Sequence, residues 1–462
     1  MFSKYFQSPF SKIASLQRRS YMAIESFLSC SHFKDAPKDV FMESPYQRPC
    51  RPQDLKALDL SEPVSLENYS SNENLFIQRS ILNAYELDLV FLPFSKAVNL
   101  KEFKTFYCDE NYQNAAALLP SFEHLAFSSL EKSINVSGHW TLQDFIQYTK
   151  TKIKDVANSE STLYKKITGS KDPESAARFF FIQCAGDFLS EASAMARNVL
   201  GNYGSATSEL FKVLIDEYGY GVHEKKHSSI FEGMMKDVGL NEMIHYYWNF
   251  YTPGSLSLIN YFHYISKNHS RFFKYLGALY YTEATLAFTT KSQSKIVKDV
   301  FQGRVSSLYF DEHSHIDIHH GRMALEKIII PLVELHGEHI IPDILSGFEE
   351  FASLQDVADQ ELYRHIEVHD SLDELIAKAK KYHDVSGAVK FEEVLGEVSV
   401  SHIHNNDELF MVDEGELDLY FSPDKVVHMK AGDKIIIPSG ILHLSKITSD
   451  TCRYSVKHIE VA

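Results

Sequence analysis

Cysteine is scarce in this 462-residue chain: Cys30, Cys50, Cys108, Cys184 and Cys452 are scattered, with no Cys-x-x-Cys pair. That argues against a disulfide framework and a thiolate zinc site, and it fits a reducing, cytoplasmic setting. Positive charge is also short. Lys and Arg number 46 against 62 Asp and Glu, a formal net charge of −16. Such a surface repels phosphate backbones, so no nucleic-acid partner is expected. Long apolar runs are missing as well. The longest uncharged stretch, Met243 to Ser266, is broken by Asn249, Pro253, Gly254, Ser255, Ser257 and Asn260. It predicts a helix–turn–helix with a buried aromatic face, not a membrane span. Pro (14) and Gly (20) are too few, and hydrophobic residues at 44% too many, for a disordered or fibrous chain. Acids are absent from the first 24 residues, which carry Lys4, Lys12, Arg18 and Arg19. This faintly resembles a mitochondrial presequence, but it reads as an ordinary basic amphipathic start.

The length exceeds what one hydrophobic core usually holds, so two or three domains are expected. No internal repeat is visible. Residues 1–130 look helical, with breaks at Pro45, Pro49, Pro52 and Pro63, and carry no catalytic pattern; packing or dimerisation is their expected role. From 131 to 340 apolar residues recur at helical spacing. Asp172-Pro173 makes an N-cap with Pro at the first helical position, Gly219 and Gly221 interrupt a later helix, and Gly303 precedes another. Six or seven such helices make a bundle. Residues 341–375 read as an acidic linker, Asp343 to about His369, running into a short helix, Ser371 to Tyr382. From Phe391 the period becomes two: Leu417, Leu419 and Phe421 alternate with Asp418 and Tyr420, and Lys434 to Ile437 ends at a Pro-Ser-Gly turn. A small antiparallel barrel over 376–462 follows.

The barrel carries the most specific pattern. Gly396, His402, His404, Glu408 and Gly415 stand at fixed spacing, followed by Gly432, Pro438, Gly440 and His443. Positions i and i+2 of a strand share a face, so His402 and His404 point into one barrel, and the Pro438–Gly440 turn delivers His443 from a second hairpin. Three imidazoles with a carboxylate nearby suit a mononuclear iron, manganese, nickel or copper centre. Both motifs of the cupin family are complete, and the segment is identified as a member of it. A cupin that had lost its metal would not be expected to keep all three histidines.

A second candidate site lies in the helices. In the run Phe310 to His320, the residues His313, Asp317 and His320 fall at i, i+4 and i+7 and share one helical face; His315 and His319 project elsewhere. Glu283 is the one charged residue between Tyr275 and Thr290, and a carboxylate among such apolar neighbours is costly to bury unless a metal takes it up. Glu191, with Asp187 four residues before it, could also face inward. Glu217 meets the Tyr218-Gly219-Tyr220-Gly221 break, and either His227 or His223 could join it. Carboxylates and histidines from several helices are how dinuclear iron or manganese sites are built, and the thiolate-free set favours those metals over zinc. The Glu-x-x-His pair of ferritin-like proteins is absent.

The His313-x3-Asp317-x2-His320 run, the isolated Glu283 and the Glu217-Tyr-Gly-Tyr-Gly…His227 segment resemble the haem-oxygenase-like diiron oxidase family. Such a domain followed by a cupin resembles the N-nitrosourea-forming enzymes over nearly the whole chain. The resemblance implies a multidomain α plus β protein: a helical N-terminal dimerisation region, a haem-oxygenase-like helical bundle and a C-terminal cupin β-barrel. It implies diiron ligands at Glu191, Glu217, His227, Glu283, His313, Asp317 and His320, selecting Glu191 over Asp187 and His227 over His223. It implies a cupin iron on His402, His404 and His443; a tri-histidine site does not need Glu408, which stays a possible ligand. Ile447 stands where cupins often have Asn, which removes a polar group from the barrel wall.

The implied activity is that of an iron-dependent monooxygenase and N-nitrosating oxidoreductase. Its substrate would be a small guanidine, Nω-methyl-L-arginine or a relative. Two ferrous ions in the bundle, dioxygen and an external electron donor would hydroxylate guanidine nitrogens. One ferrous ion in the cupin would then support rearrangement with N–N bond formation to an N-nitrosourea. The alternative is a guanidine or amine N-hydroxylase whose cupin only binds or senses a ligand. A homodimer without membrane attachment is expected.

Overall fold

The computed structural model describes residues 24–34, 39–51, 58–93, 96–201 and 204–459; the basic N-terminal start lies outside them. The helices that position the two candidate sites are α1 (Asn72–Tyr85), α2 (Asp109–Ser133), α3 (Pro173–Phe188), α4 (Ser205–Glu217), α5 (His227–Asp237), α6 (Pro253–Lys267), α7 (Phe272–Phe301), α8 (Leu308–Met323) and α9 (Ile341–Asp370). Their starts follow capping chemistry. Asp172 accepts the Ser175 amide ahead of Pro173, and Thr252 accepts the Ser255 amide ahead of Pro253. Within residues 1–130, for which packing or dimerisation was expected, α1 and α2 share a core with the bundle. Phe76, Ile77 and Phe122 pack in one cluster with Tyr261, Tyr275, Ile344 and Phe348.

Two segments depart from the expected pattern. The stretch 243–266 is not two helices. Turns and a short 3-10 segment (Trp248–Phe250) precede a single helix, α6, because Pro253 can begin a helix but not sit inside one. The acidic stretch expected as a linker is α9, a 30-residue helix. Ile341, Ile344, Phe348, Phe351, Leu354, Leu362 and Ile366 recur at helical spacing and are buried, and two of the acids, Glu350 and Glu361, are buried with them, held by Lys274 and Tyr261 and by the Gly254 amide. It crosses α7 at a glycine contact: a Cβ on Gly277 would lie 1.7 Å from the Ile344 carbonyl oxygen, and one on Gly347 would lie 1.9 Å from that of Lys274.

Seven antiparallel strands follow: β1 (Val389–Val394), β2 (Asp407–Glu414), β3 (Glu416–Ser422), β4 (Lys425–Lys430), β5 (Lys434–Ile437), β6 (Leu444–Ile447) and β7 (Thr451–Ile459). They form a sheet of order β1-β7-β2-β5 facing one of order β4-β3-β6. Alternate residues Leu409, Leu417, Leu419, Ile435 and Ile447 fill the space between them. Thus Ile447 is an apolar part of the barrel core. No helix among the described residues is long and apolar enough to cross a membrane.

Candidate metal centres

On α8, His313, Asp317 and His320 are buried while His315 and His319 are exposed, as the i, i+4, i+7 spacing requires. Glu217 ends α4, and the chain then reverses. Gly219 (φ 57°) leaves no room for a side chain, since a Cβ there would sit 2.4 Å from the Lys225 carbonyl carbon. The reversal returns His227, the first residue of α5, to Glu217, with Nδ1 2.5 Å from Oε2. Glu191 lies in the turns that follow α3.

Two donor groups result. In the first, His313 Nδ1–H donates to the Tyr309 carbonyl (2.7 Å), which turns its Nε2 toward Glu191 Oε1 (3.0 Å), His227 Nδ1 (3.1 Å) and Glu217 Oε2 (3.8 Å). In the second, His320 Nε2–H donates to Asp216 Oδ2 (3.1 Å), which turns Nδ1 toward Glu283 Oε2 (3.3 Å), Glu217 Oε1 (3.6 Å) and Asp317 Oδ1 (3.8 Å). The two oxygens of Glu217 therefore face one group each, and Glu217 is the member the two potential ligand sets share. All seven expected residues converge here.

Metal ions fit this donor set. Glu191 Oε2 and Asp317 Oδ2 are buried with no hydrogen-bond partner. Such atoms are costly unless a cation receives them. Burial, with the charge of Glu283, pushes the Asp317 carboxyl up to about 9. Burial opposes a charged His320, but the hydrogen bond and charge of Glu283 outweigh it and raise the imidazole to about 10. Crowded carboxylates drawing protons to themselves are what divalent cations relieve, and mixed oxygen and imidazole donors suit iron or manganese. The competing residues lie outside. Asp187 lines the adjoining cavity, where burial lifts its carboxyl to about 7, and His223 is exposed against Ser229. Asp216 and Tyr309, whose hydroxyl donates to Glu191 Oε1 at 2.9 Å, were not foreseen. Asp216 adjoins Glu217, and Tyr309 lies one turn before His313, so the local spacing held both signals.

In the barrel, the ligand atoms of His402, His404 and His443 lie within 4.8 Å of one another. His402 and His443 face each other across an isolated bridge: each amide donates to the other's carbonyl, at 3.0 and 3.2 Å. Their Nδ1–H groups donate to Val400 O (3.1 Å) and Ile441 O (3.0 Å), leaving each Nε2 free to bind. Burial keeps both rings neutral, the form that binds metal: His443 is lowered to about 4, and His402 falls well below its ordinary value with Arg51 adding to the effect. Glu408 is buried but not a fourth member of this trio. Its Oε2 lies 2.6 Å from His404 Nε2, and it groups with His404 and the exposed His458, its cross-strand neighbour on β7. Nothing in the two motif segments pointed to His458.

Residues 178–356 match a family model described as an iron-containing redox enzyme of the haem-oxygenase kind, and residues 391–456 match one described as a cupin domain. The nitrosourea synthase of Streptomyces achromogenes subsp. streptozoticus is 41% identical over 429 residues, covering 90% of each chain. This chain belongs to the nitrosourea synthase family. It is an iron-dependent oxidoreductase. Among solved structures, a domain of unknown function with a heme oxygenase-like fold from Shewanella denitrificans OS217 is 15% identical, covers 50% of this chain and 96% of its own, and has a TM-score of 0.37. A cupin-2 domain protein from Shewanella frigidimarina NCIMB 400 is 21% identical, covers 18% and 90%, and has a TM-score of 0.14. Membership in the family accounts for the fold class and the iron chemistry expected from the sequence.

Proposed function

We propose that this family member oxidises a guanidine, Nω-methyl-L-arginine or a close relative, to an N-nitrosourea. Glu191, Glu217, His227, Glu283, His313, Asp317 and His320 would hold two irons, and His402, His404 and His443 a third. Bound ferrous iron supplies the activation of dioxygen that no side chain can perform. Each N-hydroxylation in the bundle inserts one oxygen atom into an N–H bond; the other leaves as water with two protons and two electrons from an external donor. Rearrangement of the dihydroxylated guanidine in the barrel then consumes one dioxygen, forms the N–N bond and releases one water, with no further electrons.

The protein's own groups shape these steps. Tyr309 and Asp216 orient Glu191 and His320 through the hydrogen bonds described above. Ile259, Phe262, Leu279 and Leu286 form the apolar part of the wall of the cavity beside Glu283 and Asp317. At about 110 Å³ it has room for a planar guanidine head, and the surrounding carboxylates favour a cation. Two features support the remaining expectations: Val90 and Leu92, 73% and 69% exposed on the N-terminal region, suit a homodimer contact, and five free cysteines suit the cytoplasm.

The observation that carries the reading is Glu217, shared by two converging ligand groups in a chain of this family. The test is iron-loaded full-length protein with Nω-methyl-L-arginine, dioxygen and reductant, followed by mass spectrometry. Glu217→Ala should consume no substrate. His402→Ala should accumulate the dihydroxylated guanidine, and unchanged nitroso product from it would refute the barrel step. The contact of Glu408 with His404 Nε2 favours one second reading, an N-hydroxylase whose barrel binds ligand without metal; a barrel that takes up no iron would select it.

A further inference from the structure

The barrel histidines are seated on the helical domain. Arg79 of α1 is fully buried, and its guanidinium spans one residue of the barrel, donating to Ser401 O (2.9 Å) and Ser401 Oγ (2.6 Å). No carboxylate among the described residues pairs with it, and burial lowers the guanidinium to about 9. A buried guanidinium without a carboxylate partner is costly; beside Ser401 it has the Trp248 ring, 6.0 Å from its central carbon. The peptide it grips is the one joining Ser401 to His402. Arg79 holds the carbonyl end of that peptide, and the amide end donates to His443 O at 3.0 Å.

A second clamp repeats the arrangement at the other metal-facing segment. His365 of α9 is fully buried and neutral. Its Nδ1–H donates to Glu361 O (2.8 Å), and its Nε2 accepts the Leu442 amide (3.0 Å). That amide belongs to the Ile441–Leu442 peptide, whose carbonyl receives the Nδ1–H of His443. One peptide group thus connects His365 to the ring that faces the metal. Arg364, one residue earlier, donates to Ser439 O (2.6 Å) in the turn leading to His443.

We propose that Arg79 and His365 are positioning residues of the barrel metal site, so that the helical domain sets the geometry of His402 and His443. This rests on the reading that the three histidines hold a metal. The prediction follows from hydrogen bonds that orient ligands, whose loss typically costs about 10- to 100-fold in metal affinity.

The test titrates cobalt(II) into full-length protein in a Glu217→Ala background, where only the barrel is expected to load. Ligand-field absorption and chelator competition give the affinity. Arg79→Met and Arg79→Lys should each weaken it about 10-fold or more and alter the band, because lysine keeps the charge but cannot span both acceptors. His365→Leu should weaken it likewise, whereas His365→Gln, whose amide oxygen can accept the Leu442 N–H, should restore most of it. Should the Arg79 variants not fold, Ser401→Ala removes one acceptor of the guanidinium and should weaken binding several-fold. Parent-like affinity and band shape in the folded variants would overturn the proposal alone. No cobalt uptake that His402→Ala abolishes would overturn the metal reading of the barrel and the proposal with it.

Discussion

The crossing of α7 and α9 gives a sharp mechanical prediction, because α7 carries Glu283 and α9 carries His365. At Gly277 an added methyl would meet the Ile344 carbonyl oxygen at 1.7 Å and the Phe348 amide nitrogen at 2.8 Å, all backbone that no side-chain rotation can move. A carbon needs about 3.3 Å from such an oxygen, so Gly277→Ala must part the helices by roughly 1.5 Å. Overpacking costs about 1–3 kcal/mol, and a backbone clash belongs at the upper end. With an unfolding entropy of about 2.1 cal/mol/K per residue over roughly 300 residues of bundle, a 3 kcal/mol loss lowers the thermal midpoint by about 5 °C. Glu283 stands six residues further along α7, about 9 Å by helical rise. A 1.5 Å displacement there far exceeds the roughly 0.2 Å tolerance of metal–ligand distances, so bound iron should fall as well. Calorimetry and elemental analysis measure both effects. Gly233→Ala is the control: it lies within α5 with no atom within 4 Å of an added Cβ, and it should stabilise by about 0.5–1 kcal/mol. A Gly277→Ala protein with parental midpoint and parental iron would refute the close crossing and the coupling of α9 to Glu283.

Asp216→Asn should weaken iron binding in the bundle by about 10- to 100-fold with little change in fold, measured by chelator competition, because it loosens the bond that turns His320 Nδ1 inward. Glu217→Gln should reduce iron to about one per chain, since both ligand groups of the bundle contain that residue. The buried Glu86 supplies a pH-dependent prediction independent of metal. Against burial, the hydrogen bond from His245 (2.8 Å), an imidazole that burial itself keeps from protonating, and the charge of Arg48 hold its carboxyl at about 2 instead of 4.5. A depressed carboxylate contributes stability that is complete above the unfolded value and is lost as pH falls from 4.5 toward 2. At about 1.4 kcal/mol per unit the share is roughly 3 kcal/mol. The denaturant midpoint of Glu86→Gln should therefore lie below the parent at pH 7, and the gap should close toward pH 2; a gap constant with pH would refute the pairing.

What the sequence made legible, and what it hid, follows from period and locality. His313, Asp317 and His320 were readable because three donor types at i, i+4 and i+7 can only share a face if the segment is helical, and nothing long-range was needed. The barrel trio was readable from its spacing and the glycine turn, although His402 stands in an isolated bridge and His404 in no strand, between β1 and β2. Alternatives at Asp187 and His223 stayed open because each choice depends on a turn: Ala192 at φ 61° beyond α3, and the reversal at Gly219. The acidic composition of α9 masked its helical apolar stripe, which packs on α7 and α6, and two of its acids, Glu350 and Glu361, are buried beside that stripe.

That misreading hid the connection between the two halves. A flexible linker would leave the barrel free to load its metal alone, whereas a rigid helix seated on α7 at Gly347 and bonded to Leu442 at His365 ties both centres to one rod. The arrangement separates two sources of loss in any variant. Changes at Glu217 act on the bundle irons and leave the Ser401 and Leu442 clamps intact; changes at Arg79 or His365 act on the barrel and leave the Glu217 groups intact. Gly277→Ala alone should disturb both, because it displaces the rod itself. Iron counted separately in the two domains of these four variants would therefore distinguish a shared scaffold from two adjacent and independent sites, and loss confined to the bundle in Gly277→Ala would decide for independence.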